Sequence, residues 1–332
     1  MMGMVHRDYR EGDEYKILQL FSEVFYRERE IEKRKMSLKY WKWRFIENPF
    51  GKGIIKLLFD YNKLIGHYAV TPMEVKVADK IVNTVFSMTT MTHPKYRGRG
   101  IFPLLAEETY SEAARRGFKF VYGFPNQNSY KPITKKVNWK GFGNMEVWQK
   151  KLNSECASGY MENGDIKKIG KFDNSIDYLW KKVRQSYSVA VPRTKVFLNW
   201  RFVQNPEVDY IKYMYVDSKG EVSGYIVSKI YRLGNEIKGH VVDLLSVPDK
   251  KVVRTLLQCA YNYFIEQGIT DISCWFPKNG FYADILRGEG FSLAKMERTF
   301  FGCRIFDRND ESLKVIEDIS NWYLTMGDSD VF

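Results

Sequence analysis

The sequence is poor in the residues that build metal sites and disulfide frameworks. Its 332 residues include only four cysteines and four histidines. Cys156, Cys259, Cys274 and Cys303 have no C-x-x-C neighbour. Neither a zinc site nor a disulfide scaffold is expected, and the thiols read as structural groups of a reducing compartment. No stretch approaches the ~20 apolar residues of a membrane span, and Met1 to Arg10 carry no apolar run of the signal-peptide kind. A cytoplasmic protein without a membrane span and without a bound metal is the expectation. No serine, histidine and aspartate constellation points to hydrolysis.

What is present is apolar and basic. Apolar residues make up 44% and aromatics 16%, enough for sizeable cores, and the length exceeds what one core usually serves. The net charge of +12 suits an anionic partner such as a phosphorylated cofactor. Arg27 to Lys35 is a dense charged run, but it mixes signs and reads as a solvated helix face; no nucleic acid is expected.

The chain repeats itself. Trp43-Arg44-Phe45 followed by Asn48-Pro49 recurs as Trp200-Arg201-Phe202 followed by Asn205-Pro206. Lys56–Asp60 with Ile65–Tyr68 reads as a hairpin, as does Lys212–Asp217 with Val222–Tyr225. An apolar strand follows in each half, Val85–Met91 and Val241–Val247. Each is succeeded by a helix with one apolar face: Phe102, Leu105, Ala106, Thr109, Tyr110 and Ala113, then Val253, Leu256, Leu257, Ala260, Tyr261 and Phe264. Gly117 and Gly268 stand where glycine caps a helix end. Strands ending at Phe124-Pro125 and Phe276-Pro277 follow, and each half closes on Gly-Phe, at Gly141-Phe142 and Gly290-Phe291. This order describes an α+β fold, two domains each built on a mixed, mostly antiparallel sheet flanked by helices. The polar stretch Lys150–Ser175 supplies a boundary, giving domains at 1–153 and 165–332.

One segment differs between the copies. Lys95-Tyr96-Arg97-Gly98-Arg99-Gly100-Ile101 links strand to helix in the first half. Glycines spaced by one residue let a turn aim several backbone N–H groups at one point, the helix start adds its own donors, and Arg97 and Arg99 add charge. That is a cradle for a pyrophosphate. The second copy is shorter here, Asp249-Lys250-Lys251-Val252, with no glycine, so the fold does not need the loop. The same comparison favours a structural role for Trp43, Arg44, Asn48 and Pro49, which recur where the loop does not.

Thr92-His93-Pro94-Lys95-Tyr96-Arg97-Gly98-Arg99-Gly100-Ile101-Phe102 resembles the acyl-CoA motif of the GNAT acyltransferase superfamily, R/Q-x-x-G-x-G/A. The likeness covers Val5–Phe142, with Tyr187–Ile305 as a degenerate second copy, so the whole resembles a tandem GNAT protein. It implies that amides from Arg97, Gly98, Arg99, Gly100, Ile101 and Phe102 hold the pyrophosphate of acetyl-CoA or another acyl-CoA. It implies that the strand near Met91 and Thr92 splays to receive the pantetheine arm, with a strand amide polarising the acyl carbonyl. It implies that Asn126 or Asn128 contacts that arm.

Two departures mark the catalytic side. Many members carry a carboxylate base on the strand before the loop, whereas Val85–Thr92 has none. The family's tyrosine acid is expected near Thr134 or Val137; Tyr130, about one helical turn from Thr134, is the candidate, set against packing on the sheet. His93, His67 and Glu74 are candidate bases, His93 also reading as a loop residue bonded to backbone. The acidic end of the chain, Asp328, Asp330 and the carboxylate of Phe332, is either solvated or docked at the acceptor cleft. In the docked case removing Gly327–Phe332 is expected to lower turnover without lowering the melting temperature. Acyl transfer to a primary amine, an amino sugar or other small molecule, leads. An aminoacyl transferase drawing on aminoacyl-tRNA and a non-catalytic CoA-binding module are the alternatives.

Overall fold

The computed structural model describes residues 3–25, 36–158, 165–234, 236–294 and 299–332; the charged run at 27–35 lies outside them. The elements run β1 (Met4–Asp8), α1 (Glu14–Phe25), α2 (Leu38–Phe45), β2 (Ile54–Asp60), β3 (Lys63–Val77), β4 (Lys80–Thr92), α3 (Ile101–Arg115), β5 (Phe120–Gly123), α4 (Gln127–Lys136) and β6 (Lys140–Asn144). They continue with β7 (Val147–Lys151), β8 (Asp165–Lys168), α5 (Ser175–Val183), β9 (Val189–Ala190), α6 (Lys195–Phe202), β10 (Ile211–Val216), β11 (Val222–Leu233) and β12 (Glu236–Ser246). Last come α7 (Lys250–Glu266), β13 (Asp271–Trp275), α8 (Phe281–Gly288), β14 (Ser292–Leu293), β15 (Phe300–Ile305) and β16 (Trp322–Tyr323).

The chain forms two compact units, Met1–Gly143 with Arg298–Asp318, and Asn144–Glu297 with Ile319–Phe332. In the first, the strands lie in the order β1-β2-β3-β4-β5-β15-β6. In the second the order is β14-β7-β13-β12-β11-β10-β8. Along each of these orders a parallel pair stands beside antiparallel ones, β4 with β5 and β12 with β13. The two sheets therefore repeat the same core order, β2-β3-β4-β5 and β10-β11-β12-β13.

The units are discontinuous in sequence, which a single boundary between 153 and 165 does not provide for. The strand beside β5 is β15, from late in the chain, paired Gly302↔Gly123 through Ile305↔Phe120. The strand beside β13 is β7, from before the expected boundary, paired Asp271↔Lys151 through Trp275↔Val147. The halves thus exchange one strand each. Burial explains why both strands are held: Trp148 on β7 and Phe301 and Cys303 on β15 lie in the interiors of the units they join.

The helix faces form as their spacing requires. On α3, Ile101, Leu105, Ala106, Thr109, Tyr110 and Ala113 are buried; Phe102, expected on that face, is half-buried at its rim. On α7 all six expected positions are buried. Both helices end in the same six-residue cap. Phe118 N–H reaches Ala113 O (3.1 Å) and Gly117 N–H reaches Ala114 O (2.9 Å); Ile269 reaches Phe264 O (2.8 Å) and Gly268 reaches Ile265 O (2.9 Å). Gly117 and Gly268 take φ of +88° and +71° to allow it. The repeated Trp-Arg-Phe motif is structural as expected. Trp43, Arg44, Trp200 and Arg201 are buried, and Asn48 donates to Thr71 Oγ1 (2.6 Å) and Pro72 O (3.0 Å). Burial pushes the Cys259 thiol up to about 11, and those of Cys274 and Cys303 further.

Candidate active site

In the first unit β4 pairs with β5 at Val85↔Val121, Phe86↔Tyr122 and Ser87↔Gly123, and there the pairing stops. β4 itself continues to Thr92, held on its other edge by β3 as far as Gly66↔Thr92. Past Gly123 the chain parts from β4 while staying joined to the β15 side, with Phe300 N–H donating to Pro125 O (3.0 Å) and Asn126 bridging Thr299. Asn126 then caps α4: its Oδ1 accepts from Asn128 N–H (2.9 Å) and Ser129 N–H (3.1 Å). Strands that run parallel and then part leave backbone groups of β4 facing a gap. Met91, buried, and Thr92, half-buried, are on this stretch.

A bulge interrupts β4 within it. The register slips between His67 and Ala69, and Thr89 is held at φ +54°. His67 Nδ1 bonds the Thr89 carbonyl at 2.8 Å. His67 is completely buried, and burial holds its pKa down at about 4, so it is neutral. His67, a candidate base by sequence, is a core residue fixing a strained strand segment. At the last paired position, Ser87 Oγ meets Tyr68 Oη (2.9 Å), Tyr68 Oη meets Tyr110 Oη, and Trp139 Nε1 donates to Tyr110 Oη (2.9 Å). Burial pushes Tyr68 up to about 12 and raises Tyr110 as well, so this chain stays protonated and ties β3, β4 and α3 together where the strands part.

The loop that follows is built in layers. His93 N–H bonds Ile65 O (2.9 Å), anchoring the loop to β3. His93 Nδ1 accepts from Lys95 N–H (3.2 Å), so Nε2 carries the proton and faces Glu23 Oε2 of α1 at 3.1 Å. Both ring nitrogens are thereby engaged in holding the turn. Tyr96 Oη donates to Asp60 (2.6 Å), and the Arg99 guanidinium lies 5.0 Å above the Tyr96 ring. Gly98 and Gly100 then adopt φ of +80° and +79°. A Cβ on either would meet no atom within 4 Å, so it is the left-handed backbone, not crowding, that calls for glycine, and the space above them is open. Gly100 is the N-cap of α3 and brings no side chain to it. The first bond into the helix is Leu104 N–H to Gly100 O (3.2 Å), so Ile101 and Phe102 present the N–H groups a helix start leaves over. Arg97 and Arg99, both exposed, flank this donor set. Free donors, a positive helix end and two cations at the mouth of parted strands fit a pyrophosphate with an extended arm behind it.

In the second unit the chain's own groups meet the helix start and the strand edge. β12 and β13 pair at Gly239↔Ile272, His240↔Ser273 and Val241↔Cys274 and then part. Here Asp249 caps α7 with its own carboxylate, accepting from Lys251 N–H at 2.8 Å, where Gly100 leaves α3 open. Past the last pair, the Leu244 carbonyl accepts from Tyr323 Oη, and the Ser246 N–H donates to Tyr282 Oη (3.1 Å).

Tyr323 belongs to the chain's acidic end, which is neither frayed nor loosely docked. Residues 322–329 are buried. Asp328 accepts from Arg193 Nη1 (2.7 Å) and Nη2 (2.8 Å), and Arg193 also faces Asp243 (3.2 Å). Burial lifts the Asp328 carboxyl above the usual range while Arg193 pulls it down; the bidentate contact and the raised pKa of Arg193 itself keep the pair ionised. Arg201, from the repeated motif, donates to Gly327 O (3.0 Å), Ser329 O (3.0 Å) and the main-chain oxygen of Phe332. The expectation that this segment can be removed without lowering the melting temperature is therefore corrected: it is core.

The remaining expected residues fall in different places. Tyr130, on α4, stacks on Phe300 (4.2 Å between centroids), and its hydroxyl accepts from Gly143 N–H (3.0 Å), leaving its own proton to donate. Asn128 is exposed on the first turn of α4, whereas the Asn126 carbonyl is consumed in capping. Glu74 pairs with Asn83 near the far end of the β3–β4 hairpin, about 26 Å along the strand from Gly66↔Thr92 at ~3.3 Å per residue. Asp330 is half-buried in the second unit. Glu23, the carboxylate beside His93, escaped sequence reading because it sits on a different element.

Among the described residues no group of three or more His, Cys, Asp or Glu is placed to hold a metal ion, and no helix is long and apolar enough to cross a membrane. Residues 6–141 match the family model described as acetyltransferase (GNAT) domain. No curated protein matches the chain significantly by sequence. Solved structures similar to it include a probable N-acyltransferase from Enterococcus faecalis, 13% identical, TM-score 0.70, covering 91% of this chain and 73% of that one. A GCN5-related N-acetyltransferase from Anabaena variabilis is 14% identical with TM-score 0.69, covering 92% and 73%. N-myristoyltransferase from Saccharomyces cerevisiae, solved with bound myristoyl-CoA, is 12% identical with TM-score 0.62, covering 92% and 80%. The segment that carries the glycine loop thus matches a GNAT acetyltransferase domain, and the chain shares the fold of GNAT-type N-acyltransferases along nearly its whole length.

Proposed function

We propose that the first unit transfers an acyl group, acetyl foremost, from acyl-CoA to a primary amine on a small molecule, an amino sugar being the leading class. The observation that carries this reading is the pairing of a helix start without a capping side chain and a parted β4/β5 edge in the first unit, against Asp249 and the tyrosine-filled edge in the second. Bound acyl-CoA would supply an activated thioester. Amides of residues 98–102 would hold its pyrophosphate, with Arg97 and Arg99 alongside. A main-chain N–H near the Thr89 bulge, or at Met91 or Thr92, would polarise the acyl carbonyl. Asn128 has the freer side chain for the pantetheine arm. The amine loses a proton as its nitrogen bonds the acyl carbon, and the departing sulfur needs one. Tyr130 is assigned the donor role because its phenol keeps a proton after accepting from Gly143. The amine proton leaves through water, since both nitrogens of His93 are occupied.

The test is thiol release from acetyl-CoA against amino sugars, nucleotide-linked amino sugars, polyamines and peptides, with calorimetry for CoA. The expected result is turnover with one class and one CoA per chain. Gly100→Val is expected to lose CoA affinity at least tenfold, because a side chain at φ +79° both strains the turn and blocks approach to its amides. Two equivalent CoA sites, or unchanged affinity in a folded Gly100→Val protein, would refute the site. CoA binding without turnover on any amine would leave the non-catalytic reading.

A further inference from the structure

A cavity of about 280 Å³ opens in the second unit where β12 and β13 have parted. Its walls include Ser246 at the end of β12, Asn279 between β13 and α8, and the rings of Tyr187, Tyr282, Trp322 and Tyr323. Among the described residues no Asp, Glu, Lys, Arg or His lines it, in a chain with 92 charged residues and a net charge of +12. Burial raises the pKa of all three tyrosines, so they present neutral hydroxyls. The one carboxylate near the frame's phosphate position, Asp249, is spent on capping α7.

This cavity is the counterpart of the cofactor mouth in the first unit, and its chemistry is the opposite. With no cation to meet a phosphate and no anion to meet an ammonium, a charged ligand would lose its hydration without compensation. A purely apolar ligand would fit no better. Ser186, Ser188, Asn279, Ser320 and Asn321 stand on its lining, polar residues that a ligand carrying hydroxyls can meet. Flat aromatic walls alternating with hydroxyl and amide groups suit a molecule with C–H faces and O–H edges. The volume is that of a small ligand, not of a whole coenzyme.

We propose that this cavity binds a neutral sugar ring. The site lies wholly within the second unit and does not depend on the acyl-transfer reading. Ligand-observed saturation-transfer NMR on the full chain, with glucose, galactose and N-acetylglucosamine and with glucose 6-phosphate as charged counterpart, tests it. At least one neutral sugar is expected to bind at millimolar concentration, and the phosphate to bind at least tenfold more weakly. Asn279 is exposed, so Asn279→Trp should fill the mouth and abolish transfer without changing the melting temperature or CoA affinity. No sugar binding, sugar binding indifferent to Asn279→Trp, or equal binding of the phosphate would each overturn the proposal. Because CoA is titrated in the same samples, failure here is distinguishable from failure of the first unit's site.

Discussion

Replacing Asp328 by alanine probes how the second unit is held closed. Asp328 accepts from Arg193 at 2.7 and 2.8 Å and from Thr325 N–H at 2.8 Å, all out of water. Breaking a buried ion pair by removing one partner costs about 3–5 kcal/mol, because the surviving charge loses its compensation. Arg193 keeps Asp243, at 3.2 Å, so the lower end applies, about 3 kcal/mol. At roughly 2–4 °C per kcal/mol for a unit of this size, the melting temperature should fall by about 6–12 °C. Ending the chain at Met326 removes more: Arg193 loses Asp328, and Arg201 loses the carbonyls of Gly327, Ser329 and Phe332, keeping only Tyr210 Oη at 2.7 Å. Two such losses, about 6 kcal/mol, rival the ~5–15 kcal/mol total stability of a domain. The second unit is then expected to be unfolded, with lost near-ultraviolet dichroism. Lost turnover in the truncated chain would thus carry no catalytic meaning. The point change Asp330→Asn separates the two, since Asp330 is only half-buried: a fall in turnover at constant melting temperature would give Asp330 a part in the reaction. An Asp328→Ala protein melting within about 2 °C of the parent would refute the claim that this ion pair supports the unit.

Gly66→Ala would place a Cβ 2.6 Å from Ile101 Cγ2 and 3.0 Å from Leu105 Cδ1, pushing the start of α3 off β3; about 1–3 kcal/mol of stability and several-fold in CoA affinity should be lost. Its counterpart Gly224→Ala meets Leu256 and Val252 at 2.9 Å, so calorimetry should show a comparable loss of stability with CoA affinity unchanged. His67, held at about 4 against the usual 6.5, is neutral in the fold, so its contribution is intact above pH 6.5 and is lost as pH falls toward 4, by about 3 kcal/mol in all. Urea unfolding across that window should show a shallower pH slope in His67→Asn, with the slope from His240, held at about 3, remaining.

The repeat, the helix faces and the glycine caps were legible because each is a local pattern. Leu105, Tyr110, Leu256 and Phe264 face inward by 3.6-residue periodicity alone, and Gly117 and Gly268 cap by their own backbone freedom. The exchange of β7 and β15 was not legible, because alternation identifies a strand and says nothing of its neighbour. The chain end misled for a related reason. Gly327-Asp328-Ser329-Asp330 has the composition of a solvated tail, and only the distant Arg193 and Arg201 make it core. Glu23 and His93 lie on separate elements, so spacing could not join them, and the same holds for Tyr68, Ser87 and Tyr110.

Two copies of one frame have resolved the same physical problem in opposite ways. A parallel pair that parts leaves strand N–H and carbonyl groups with no ladder partner, and buried groups of that kind must find one. In the second unit the chain supplies its own partners: the hydroxyls of Tyr323 and Tyr282 take Leu244 O and Ser246 N–H, and Asp249 takes the helix start. Those substitutes are neutral except for a carboxylate placed where an anion would have to sit, so the frame is both satisfied and made repellent to phosphate. In the first unit the helix start has no side chain of its own, and two glycines hold the preceding turn in a conformation whose amides face open space. Leaving such donors unmet is a cost to stability, tolerable here because the loop is exposed and water can serve until an anion replaces it. The contrast is what makes Gly98 and Gly100 informative: the same frame is built in the second unit without them, so the left-handed, side-chain-free turn at the start of α3 is not a requirement of the fold.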